Sequence, residues 1–290
     1  MAQALYARRA LGASGLTVSP LGVGTNKWAS GKNDQAVFEA FQAYLDEGMN
    51  FFDTAELYGV GKSERLLGAC LKQDGRPTII ASKYMPLPLH GFQKALDGSL
   101  ARLGVPTIDL YYMHFPLTKI EAVMDQMAHV VQAGTIRAVG VSNCNAAQMR
   151  RAAERLARYH IPLAANQVYY NLLHRQPEVN GVLDACRELT VALVAYRPLA
   201  SGQLVANMSP TRGGKATEAL QSTLQTIAQQ RGKSTSQVAL NWLLQRDEHI
   251  IPIPGATSAR HARENTETLT WELSDEEFRA IDQASAPRKR

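Results

Sequence analysis

The sequence of 290 residues is poor in cysteine and contains no long hydrophobic run. Its three cysteines, Cys70, Cys144 and Cys186, are odd in number and far apart, so they fit neither a disulfide framework nor a zinc-binding pattern. No apolar stretch approaches the roughly 20 residues of a membrane-spanning helix. Residues 1–9 lack the apolar core of a signal peptide. We therefore expect a cytoplasmic protein with neither a membrane partner nor a bound metal.

Charge of one sign is only in modest excess, with a formal net charge of +5 and a pI of about 9.1. Much of the excess lies in residues 287–290 and on a helix-like stretch with Arg150, Arg151, Arg155 and Arg158. Such runs are usually solvated faces, and no interleaved aromatic residues or nucleic-acid-binding motif accompany them. The composition predicts no nucleic-acid partner, whereas the positive field favours an anionic small-molecule ligand.

The glycine-rich loops of common nucleotide-binding folds are also missing. Gly22 and Gly24 lack the third glycine of a Gly-x-Gly-x-x-Gly turn, and Gly59 and Gly61 lead to Glu64 instead. The sequence contains no Walker loop, no Gly-x-Ser-x-Gly elbow and no H-E-x-x-H pair. These absences argue against a doubly wound dinucleotide-binding domain, a P-loop enzyme, an α/β-hydrolase and a zinc protease.

What the sequence does contain is a regular alternation of strand-like apolar runs and amphipathic helix-like stretches. The predicted strands are 21–25, 51–53, 78–83, 108–114, 138–142, 164–168, 191–196 and 250–253. The predicted helices between the first seven are 35–47, 63–72, 92–103, 120–132, 146–159 and 179–189. Eight strands joined by helical crossovers form a parallel sheet, which closes most naturally into a barrel. The predicted fold class is α/β, a (β/α)8 TIM barrel.

The ends of the chain and one long interval complete this prediction. Residues 1–20 predict an N-terminal hairpin that plugs one end of the barrel. The interval after the seventh strand predicts a loop, 197–215, on the catalytic face of the barrel, and its closure over the cofactor is a hypothesis that the sequence does not decide. Four further helices are predicted at 218–230, 234–245, 259–267 and 274–284. The last of them is the C-terminal helix. No linker divides the sequence, so residues 1–290 are predicted to form a single domain.

Four polar residues follow the predicted strands in a chemically suggestive way. Asp53, Lys83 and His114 each stand where a strand ends, and Tyr58 follows Asp53 by five residues. Because the carboxyl ends of parallel strands meet at one mouth of a barrel, we expect the four side chains to converge there. Alone, each is typical of a structural role, such as a strand-end cap or a packed ring. Together, an acid, a phenol, an amine and an imidazole predict a proton-donating catalytic pocket.

Tyr58 is the predicted proton donor of this pocket. A free phenol has a pKa of about 10 and gives up its proton poorly at neutral pH. The ammonium of Lys83 is expected to lower that pKa by stabilising the phenolate, and Asp53 to hold Lys83 in place. A neutral His114 is expected to orient a substrate carbonyl toward Tyr58. Because the sequence offers no convincing nucleophile and no metal cluster, the electrons must come as hydride from a cofactor.

The segments around these residues resemble the aldo-keto reductase family, in order and over nearly the whole chain. Its first signature resembles residues 48–59 and 63–68, which carry Asp53 and Tyr58. The remaining resemblances concern the family's lysine, histidine, nicotinamide-binding and adenosine-binding segments, and they lie at 81–83, 113–116, 139–143, 166–167, 195–199, 253–256 and 264–265. The resemblance implies a TIM barrel that binds NADPH in an extended conformation and reversibly reduces carbonyl compounds, with Tyr58 as the acid.

The resemblance also implies the binding residues. The candidates for NADPH contacts are Gly24, Thr25, Asp53, Ser142, Asn143, Gln167, Tyr196, Arg197, Leu199, Gly255, Thr257, Ser258, His261, Glu264 and Asn265. The pocket for a small-molecule carbonyl substrate is expected to include Trp28, Tyr58, Tyr84, His114 and Phe115. Family members often carry basic residues near the 2′-phosphate where this sequence has Gly255 or Thr257 and His261. NADH therefore remains the alternative cofactor.

Two other functions remain open from the sequence. The chain could be a cofactor-sensing regulatory binding subunit with vestigial reductase activity, or a lyase that uses Lys83 as a Schiff-base nucleophile. The nearby Asp53 favours a charged ammonium at Lys83 and argues against the lyase. We expect a monomer or a weak homo-oligomer. The sequence does not choose among sugar aldehydes, lipid-derived aldehydes, pyridoxal-like rings and polyketide ketones as substrates.

Overall fold

A short antiparallel hairpin precedes eight parallel strands that form a barrel. The computed structural model describes residues 6–30, 33–86, 91–204 and 214–287. The hairpin consists of β1 (Arg9–Ala10) and β2 (Thr17–Val18). The barrel strands are β3 (Val23–Gly24), β4 (Phe51–Asp53), β5 (Ile79–Tyr84), β6 (Ile108–Met113), β7 (Ile136–Ser142), β8 (Leu163–Tyr169), β9 (Ala192–Tyr196) and β10 (Ile250–Ile253). Each strand pairs with the next one along the chain, which confirms the predicted (β/α)8 fold.

Backbone hydrogen bonds bring the first and last barrel strands together. The N–H groups of Gly22 and Gly24 donate to the carbonyl oxygens of Pro252 and Pro254 at 2.9 and 3.1 Å. Gly24 has no room for a side chain, because a Cβ atom there would lie 2.9 Å from the Ile253 oxygen. Glycine at this position therefore permits the close approach on which the barrel's closure depends.

Helices connect the strands and surround the barrel. They are α1 (Asp34–Asp46), α2 (Lys62–Asp74), α3 (Phe92–Leu103), α4 (Ile120–Gln132), α5 (Ala146–Ala157), α6 (Gln176–Val179), α7 (Val182–Leu189), α8 (Gly214–Arg231), α9 (Thr235–Arg246), α10 (Ala259–Glu267) and α11 (Asp275–Ala284). Asn145, Ser234 and Ser274 cap α5, α9 and α11, each in a reciprocal capping box with a Gln or Glu three residues later. Among the described helices, none is long and apolar enough to cross a bilayer.

Two hydrophobic clusters divide the core. The larger lies between the helices and the outer face of the barrel. The smaller fills the barrel, where five alanines (Ala81, Ala138, Ala164, Ala165 and Ala192) leave room for the rings of Phe51 and Tyr112. Leu11, Leu16 and Val18 of the hairpin segment belong to this inner cluster. Arg9 donates to the carbonyl oxygens of Leu244 at 2.6 Å and of Ile250, at the amino-terminal end of β10. The predicted N-terminal hairpin and its position at the barrel's lower end are confirmed.

The structure departs from the prediction mainly where a backbone break lies inside an amphipathic pattern. The predicted helix 179–189 begins only at Val182, as α7, and Asn180 and Gly181 separate it from the short helix α6, which was not predicted. Gly181 has a φ of 80°, a left-handed value that ends a helix. A five-residue 3₁₀ helix at Asn26–Ser30 was not predicted. Of the predicted loop 197–215, residues 205–213 lie outside the described residues, as does any closure by them.

Candidate active site

The carboxyl ends of three neighbouring strands bring the predicted catalytic residues to one mouth of the barrel. Asp53 ends β4, Lys83 lies near the end of β5, and His114 follows β6 directly. Tyr58 lies in the turn between β4 and α2, where Gly59 and Gly61 adopt left-handed φ values of 59° and 77°. Asp53, Tyr58 and His114 line a cleft of about 700 Å³, and Lys83 is fully buried beneath it.

Lys83 and Asp53 form a buried ion pair. The Nζ atom of Lys83 donates to Oδ1 of Asp53 and to the carbonyl oxygen of Thr54, both at 2.6 Å. Burial lowers the pKa of Lys83, but the Asp53 carboxylate and the Tyr58 phenol more than compensate, so the net pKa is raised. Lys83 is therefore a charged ammonium. Its nitrogen lies 4.9 Å from the centre of the Tyr58 ring.

Tyr58 is half-buried at the rim of the cleft. Burial raises the pKa of Tyr58, and the ammonium of Lys83 lowers it only in part. The expected lowering of this pKa by Lys83 is present, but the loss of solvation on burial outweighs it, so the net pKa of Tyr58 is raised. Tyr58 consequently keeps its proton at neutral pH, as a proton donor must.

His114 is neutral, as expected from the sequence. Burial, with a smaller effect from Lys83, lowers the pKa of His114 to about 3. Its ring stacks on Phe115, with centroids 5.2 Å apart, and meets Tyr58 edge-on at 6.2 Å. Its Nδ1 atom is buried without a hydrogen-bond partner among the described residues. Polar atoms in this condition are uncommon in folded proteins and often mark a site that binds a ligand or water.

A chain of hydrogen bonds links Asp53 to the candidates for binding a nicotinamide amide. Oδ2 of Asp53 accepts from Nε2 of Gln167 at 2.8 Å. The hydroxyl of Ser142 donates to the Gln167 carbonyl at 2.9 Å, and Asn143 donates to that hydroxyl at 3.0 Å. The Tyr196 hydroxyl donates to Oδ1 of Asn143 at 3.0 Å. All four of these candidates line the cleft.

The opposite part of the cleft follows the joint between β3 and β10. Gly24 and Gly255 line it, and a Cβ atom at Gly255 would lie 2.8 Å from the Gly24 oxygen. The cleft then reaches the amino-terminal turns of α10, where it is lined by His261, Glu264 and Asn265. A long cleft with bare backbone in its middle and amide and hydroxyl groups at one end suits an extended dinucleotide.

The comparisons with known proteins agree with this geometry. The sequence model of the aldo/keto reductase family matches residues 20–286. This chain belongs to that family. As an aldo-keto reductase, it is an oxidoreductase.

Two curated relatives of this aldo-keto reductase carry informative names. It is 31% identical to "Pyridoxal reductase, chloroplastic" of Arabidopsis thaliana, over 93% of this chain and 84% of the relative. It is 36% identical to "Aldo-keto reductase yakc [NADP(+)]" of Schizosaccharomyces pombe, over 85% of this chain and 82% of the relative. Among solved structures, an aldo/keto reductase from Klebsiella pneumoniae in complex with NADP and acetate superposes with a TM-score of 0.85, at 28% identity and over 98% of both chains.

Most of the candidate residues of this aldo-keto reductase lie together, but some do not line the cleft. Trp28 is fully buried and donates to the Ala256 carbonyl at 2.7 Å, so it braces the segment after β10. Tyr84 is buried against Phe92 on the outer side of the barrel. Thr25 is buried beneath the cleft, where it hydrogen-bonds the Asp53 carbonyl at 2.9 Å.

The two candidates directly before α10 do not line the cleft, in contrast to those after the seventh barrel strand. Ser258 caps this helix by accepting a hydrogen bond from the His261 backbone N–H, and neither Thr257 nor Ser258 lines the cleft. Arg197, Leu199 and Phe115 do line it.

Several residues that line the cleft were not among the candidates, namely Asn26, Lys27, Ser201, Gly202 and Ser236. Pro198, Ile253 and Pro254 also line it and lie in the segments that resemble the family's cofactor-binding segments, although they were not named as contacts. Asn26 and Lys27 directly follow a predicted strand, so their position alone could have indicated the cleft. Ser236 lies in the first turn of α9. No local pattern signals that this helix end reaches the barrel mouth.

Proposed function

We propose that this protein reduces aldehydes and ketones to alcohols with NADPH, and that Tyr58 donates the proton. The observation that supports this most is the buried Lys83 ammonium, 2.6 Å from Asp53 and 4.9 Å from the Tyr58 ring centre. A fixed positive charge beside a phenol stabilises the phenolate that remains after proton transfer. The same charge has no evident use in a protein that only packs its barrel, because burying an ion pair is costly.

Each residue of the cluster has one task in this reaction. When bound, the reduced dinucleotide supplies a hydride to the carbonyl carbon. The neutral ring of His114 hydrogen-bonds the carbonyl oxygen and holds it near Tyr58. As the oxygen gains negative charge, the Tyr58 hydroxyl passes its proton to it, which completes the alcohol. Lys83 stabilises the resulting phenolate until Tyr58 recovers a proton from solvent.

The cleft offers groups for each part of the dinucleotide. Ser142, Asn143 and Gln167 present amide and hydroxyl groups suited to a carboxamide, and the Tyr196 ring lies beside them. Lys27, Arg197 and His261 also line the cleft and suit phosphate groups. The NADP named in the Schizosaccharomyces pombe relative and in the Klebsiella pneumoniae complex supports NADPH over NADH. We expect the Kd for NADPH, measured by fluorescence titration, to be below that for NADH.

Exposed apolar side chains near Tyr58 and His114 indicate which carbonyl compounds are accepted. Five large hydrophobic side chains are exposed among the described residues, and four lie on the two segments that carry Tyr58 and His114. They are Leu57, Val60, Phe115 and Leu117, with 44%, 87%, 36% and 58% of their surface exposed. Phe115 lines the cleft, and the other three lie within three residues of Tyr58 or His114 in the sequence. Exposed apolar surface beside a ligand cleft favours a ligand whose remaining part is apolar. We therefore propose aldehydes and ketones with an aromatic or alkyl substituent as substrates.

The decisive experiment removes only the donated proton. Tyr58→Phe should lower kcat for an aromatic aldehyde by about 10²- to 10⁴-fold, the range of general acid catalysis, while the Kd for NADPH stays unchanged. Tyr159→Phe is the matched control, because the Tyr159 hydroxyl bonds Asp125 on the outer helices. Equal turnover of the Tyr58 variant and the control would contradict the assignment.

The two rival functions make different predictions. A lyase would need a free amine at Lys83, and borohydride would then trap substrate on that side chain. The raised pKa of Lys83, which Asp53 and the Tyr58 phenol maintain against burial, opposes this. A cofactor-sensing subunit would bind NADPH tightly and turn over far more slowly than ordinary enzymes, which the same aldehyde assay measures.

A further inference from the structure

Tyr112 lies beside Lys83 inside the barrel. In the register of the sheet, Lys83 of β5 pairs with Tyr112 of β6, and Tyr112 pairs with Gly140 of β7. Residues paired in this way point to the same face of a sheet and lie at one level along the barrel. Both Lys83 and Tyr112 are fully buried. The two side chains are therefore direct neighbours beneath the cleft.

The sequence leaves space for this particular ring. A Cβ atom at Gly140 would lie 2.4 Å from Cδ1 and 2.6 Å from Cε1 of Tyr112, closer than any side chain tolerates. Gly140 has an ordinary φ, so the ring of Tyr112, and not the local backbone, is what excludes a side chain there. The inner cluster around Tyr112 contains five alanines, which leave room for its ring. Tyr112 is thus held in one position against Lys83.

We propose that Tyr112 is a positioning residue whose ring fixes the Lys83 ammonium beside Tyr58. The Lys83 nitrogen lies 5.7 Å from the centre of the Tyr112 ring and 4.9 Å from that of Tyr58. Both distances are within the range in which a cation is attracted to an aromatic face. Asp53 and Thr54 hold the same nitrogen by hydrogen bonds at 2.6 Å. The ammonium therefore has two oxygen acceptors and two aromatic neighbours.

The ring, rather than the hydroxyl, carries this role. Among the described residues, the buried Tyr112 hydroxyl makes no hydrogen bond of normal geometry, and Gln167 is its polar neighbour. The ring is the part that faces the charge. Without it, the Lys83 side chain would be less well packed on one side, and its charged form would be less strongly stabilised. The positive charge next to Tyr58 would then be weaker or less well placed, which makes Tyr58 a poorer acid.

Asp53 and Tyr58 raise the pKa of Lys83, the Tyr112 ring lies next to its nitrogen, and Lys83 in turn lowers the pKa of His114. Arg197 also acts on Tyr58, whose pKa it lowers. Because Asp53, Tyr58 and His114 remain in place when Tyr112 is replaced, a shift in the pH profile can be assigned to the missing ring. The expected direction follows from the charge. A less effective Lys83 raises the apparent pKa of Tyr58, so the rising limb of alcohol oxidation against pH moves to higher pH.

The test compares two substitutions at Tyr112 with the same two at Tyr111, its outward-facing neighbour. Tyr111 is also fully buried and packs against Phe92, so it matches the loss of core packing. We expect Tyr112→Phe to behave as the parent protein. We expect Tyr112→Leu to lower kcat about tenfold and to shift the oxidation limb to higher pH by about one unit, because a buried cation–π interaction is removed. The Tyr111 variants should leave the pH profile unchanged.

Three results would overturn the proposal. They are an unshifted profile in Tyr112→Leu, the same shift in Tyr111→Leu, and a full loss already in Tyr112→Phe. If Tyr112→Leu does not fold, phenylalanines of increasing fluorination at position 112 keep the shape and weaken only the ring's attraction for the cation. The kcat values should then fall with each added fluorine, and a flat series would contradict the proposal.

This inference rests on the proposed function, yet the two can fail separately. The pKa of Lys83 can be followed by NMR of lysine labelled at its Cε atom, without any turnover. Removal of the Tyr112 ring should lower that pKa relative to the parent protein. If the parent reduces no carbonyl compound, the proposed function fails. If the parent is active and the Lys83 titration is the same with and without the ring, only the role of Tyr112 fails.

Discussion

Asp53 uses its two carboxylate oxygens for two different partners. Oδ1 accepts from Lys83 at 2.6 Å, and Oδ2 accepts from Gln167 at 2.8 Å. Gln167 is 114 residues away in sequence and lies among the candidates for holding the nicotinamide amide. One side chain therefore joins the proposed proton-donating cluster to the proposed cofactor-binding groups. In a buried site, such a hydrogen-bonded network fixes the relative positions of its members.

The first prediction concerns the loss of this charge. Asp53→Asn leaves the fully buried Lys83 without a counter-ion, which typically destabilises a protein by about 3–5 kcal/mol. We also expect kcat to fall at least about tenfold, because a less securely charged Lys83 stabilises the phenolate poorly. Urea unfolding and steady-state kinetics measure the two effects. Asp125→Asn is the control, because its ion pair with Arg155 is partly exposed and should contribute less than about 1 kcal/mol. A loss no greater than the control's would contradict the prediction.

The second prediction is the pH behaviour of His114. Burial lowers its pKa to about 3 in the folded protein, from an ordinary value of 6.5. Between these values the unfolded chain binds the proton and the folded chain does not, so the stability present above pH 6.5 is lost as the pH falls toward 3. In His114→Phe, the free energy of unfolding should decline less over this range. The pH profile of the reduction rate should likewise show no limb near pH 6.5 that is due to His114. An NMR titration in which the His114 imidazole itself gains a proton near pH 6.5 would disprove its assigned neutral state.

At the level of elements, the sequence predicted which residues stand at the carboxyl ends of the strands. It did not predict which side chains near those ends line the cleft and which pack in the core. Asp53 and His114 follow short apolar runs that are recognisable as buried strands, so their convergence followed from parallel pairing alone. Trp28 and Tyr84 also follow predicted strands, but neither lines the cleft. Trp28 donates to the Ala256 carbonyl, and Tyr84 packs on Phe92. The choice between cleft and core depends on side-chain direction and on neighbours distant in sequence.

Helices show the same division. The start of α11 was readable from Ser274 and Glu277, because a capping box is a local pattern. The start of α7 at Val182 was not, because the helical spacing of apolar residues in the sequence extends back to Val179, which belongs to α6. Ser236 reaches the cleft only through the way α9 packs on the barrel. What a few neighbouring residues determine was predictable, whereas packing between elements was not.

The third prediction concerns how α2, α3 and β5 are held together. Glu64 of α2 is fully buried, accepts from Ser82 at 2.6 Å and pairs with Arg102 of α3 at 2.6 Å. Arg102→Met leaves this carboxylate without its cation and should cost about 3 kcal/mol of stability. The double variant Arg102→Met with Glu64→Gln should recover part of that loss, because no unpaired buried charge remains. Urea unfolding of both variants checks this, and an equal or larger loss in the double variant would contradict it.

At the scale of the molecule, stability and proposed chemistry occupy opposite ends of the barrel. The hairpin segment fills the lower end with Leu11, Leu16 and Val18, while the cleft opens at the carboxyl ends of the strands. This division is typical of TIM barrels, in which the two faces serve different purposes. A substitution at one end of the barrel is therefore expected to have little effect at the other end. Additive, independent effects are expected for sites without shared contacts.

The fourth prediction tests that separation directly. Leu11 is fully buried in the inner cluster, so Leu11→Ala creates a cavity and should lower the free energy of unfolding by about 2–5 kcal/mol. Because the cavity lies at the lower end, kcat and the Kd for NADPH should remain within about twofold of the parent values at temperatures where the variant is folded. Combining Leu11→Ala with Asp53→Asn should give the sum of the two stability losses, measured by urea unfolding. A clearly non-additive result, or a loss of turnover from Leu11→Ala alone, would mean that the barrel transmits strain along its length and that its two ends are not independent.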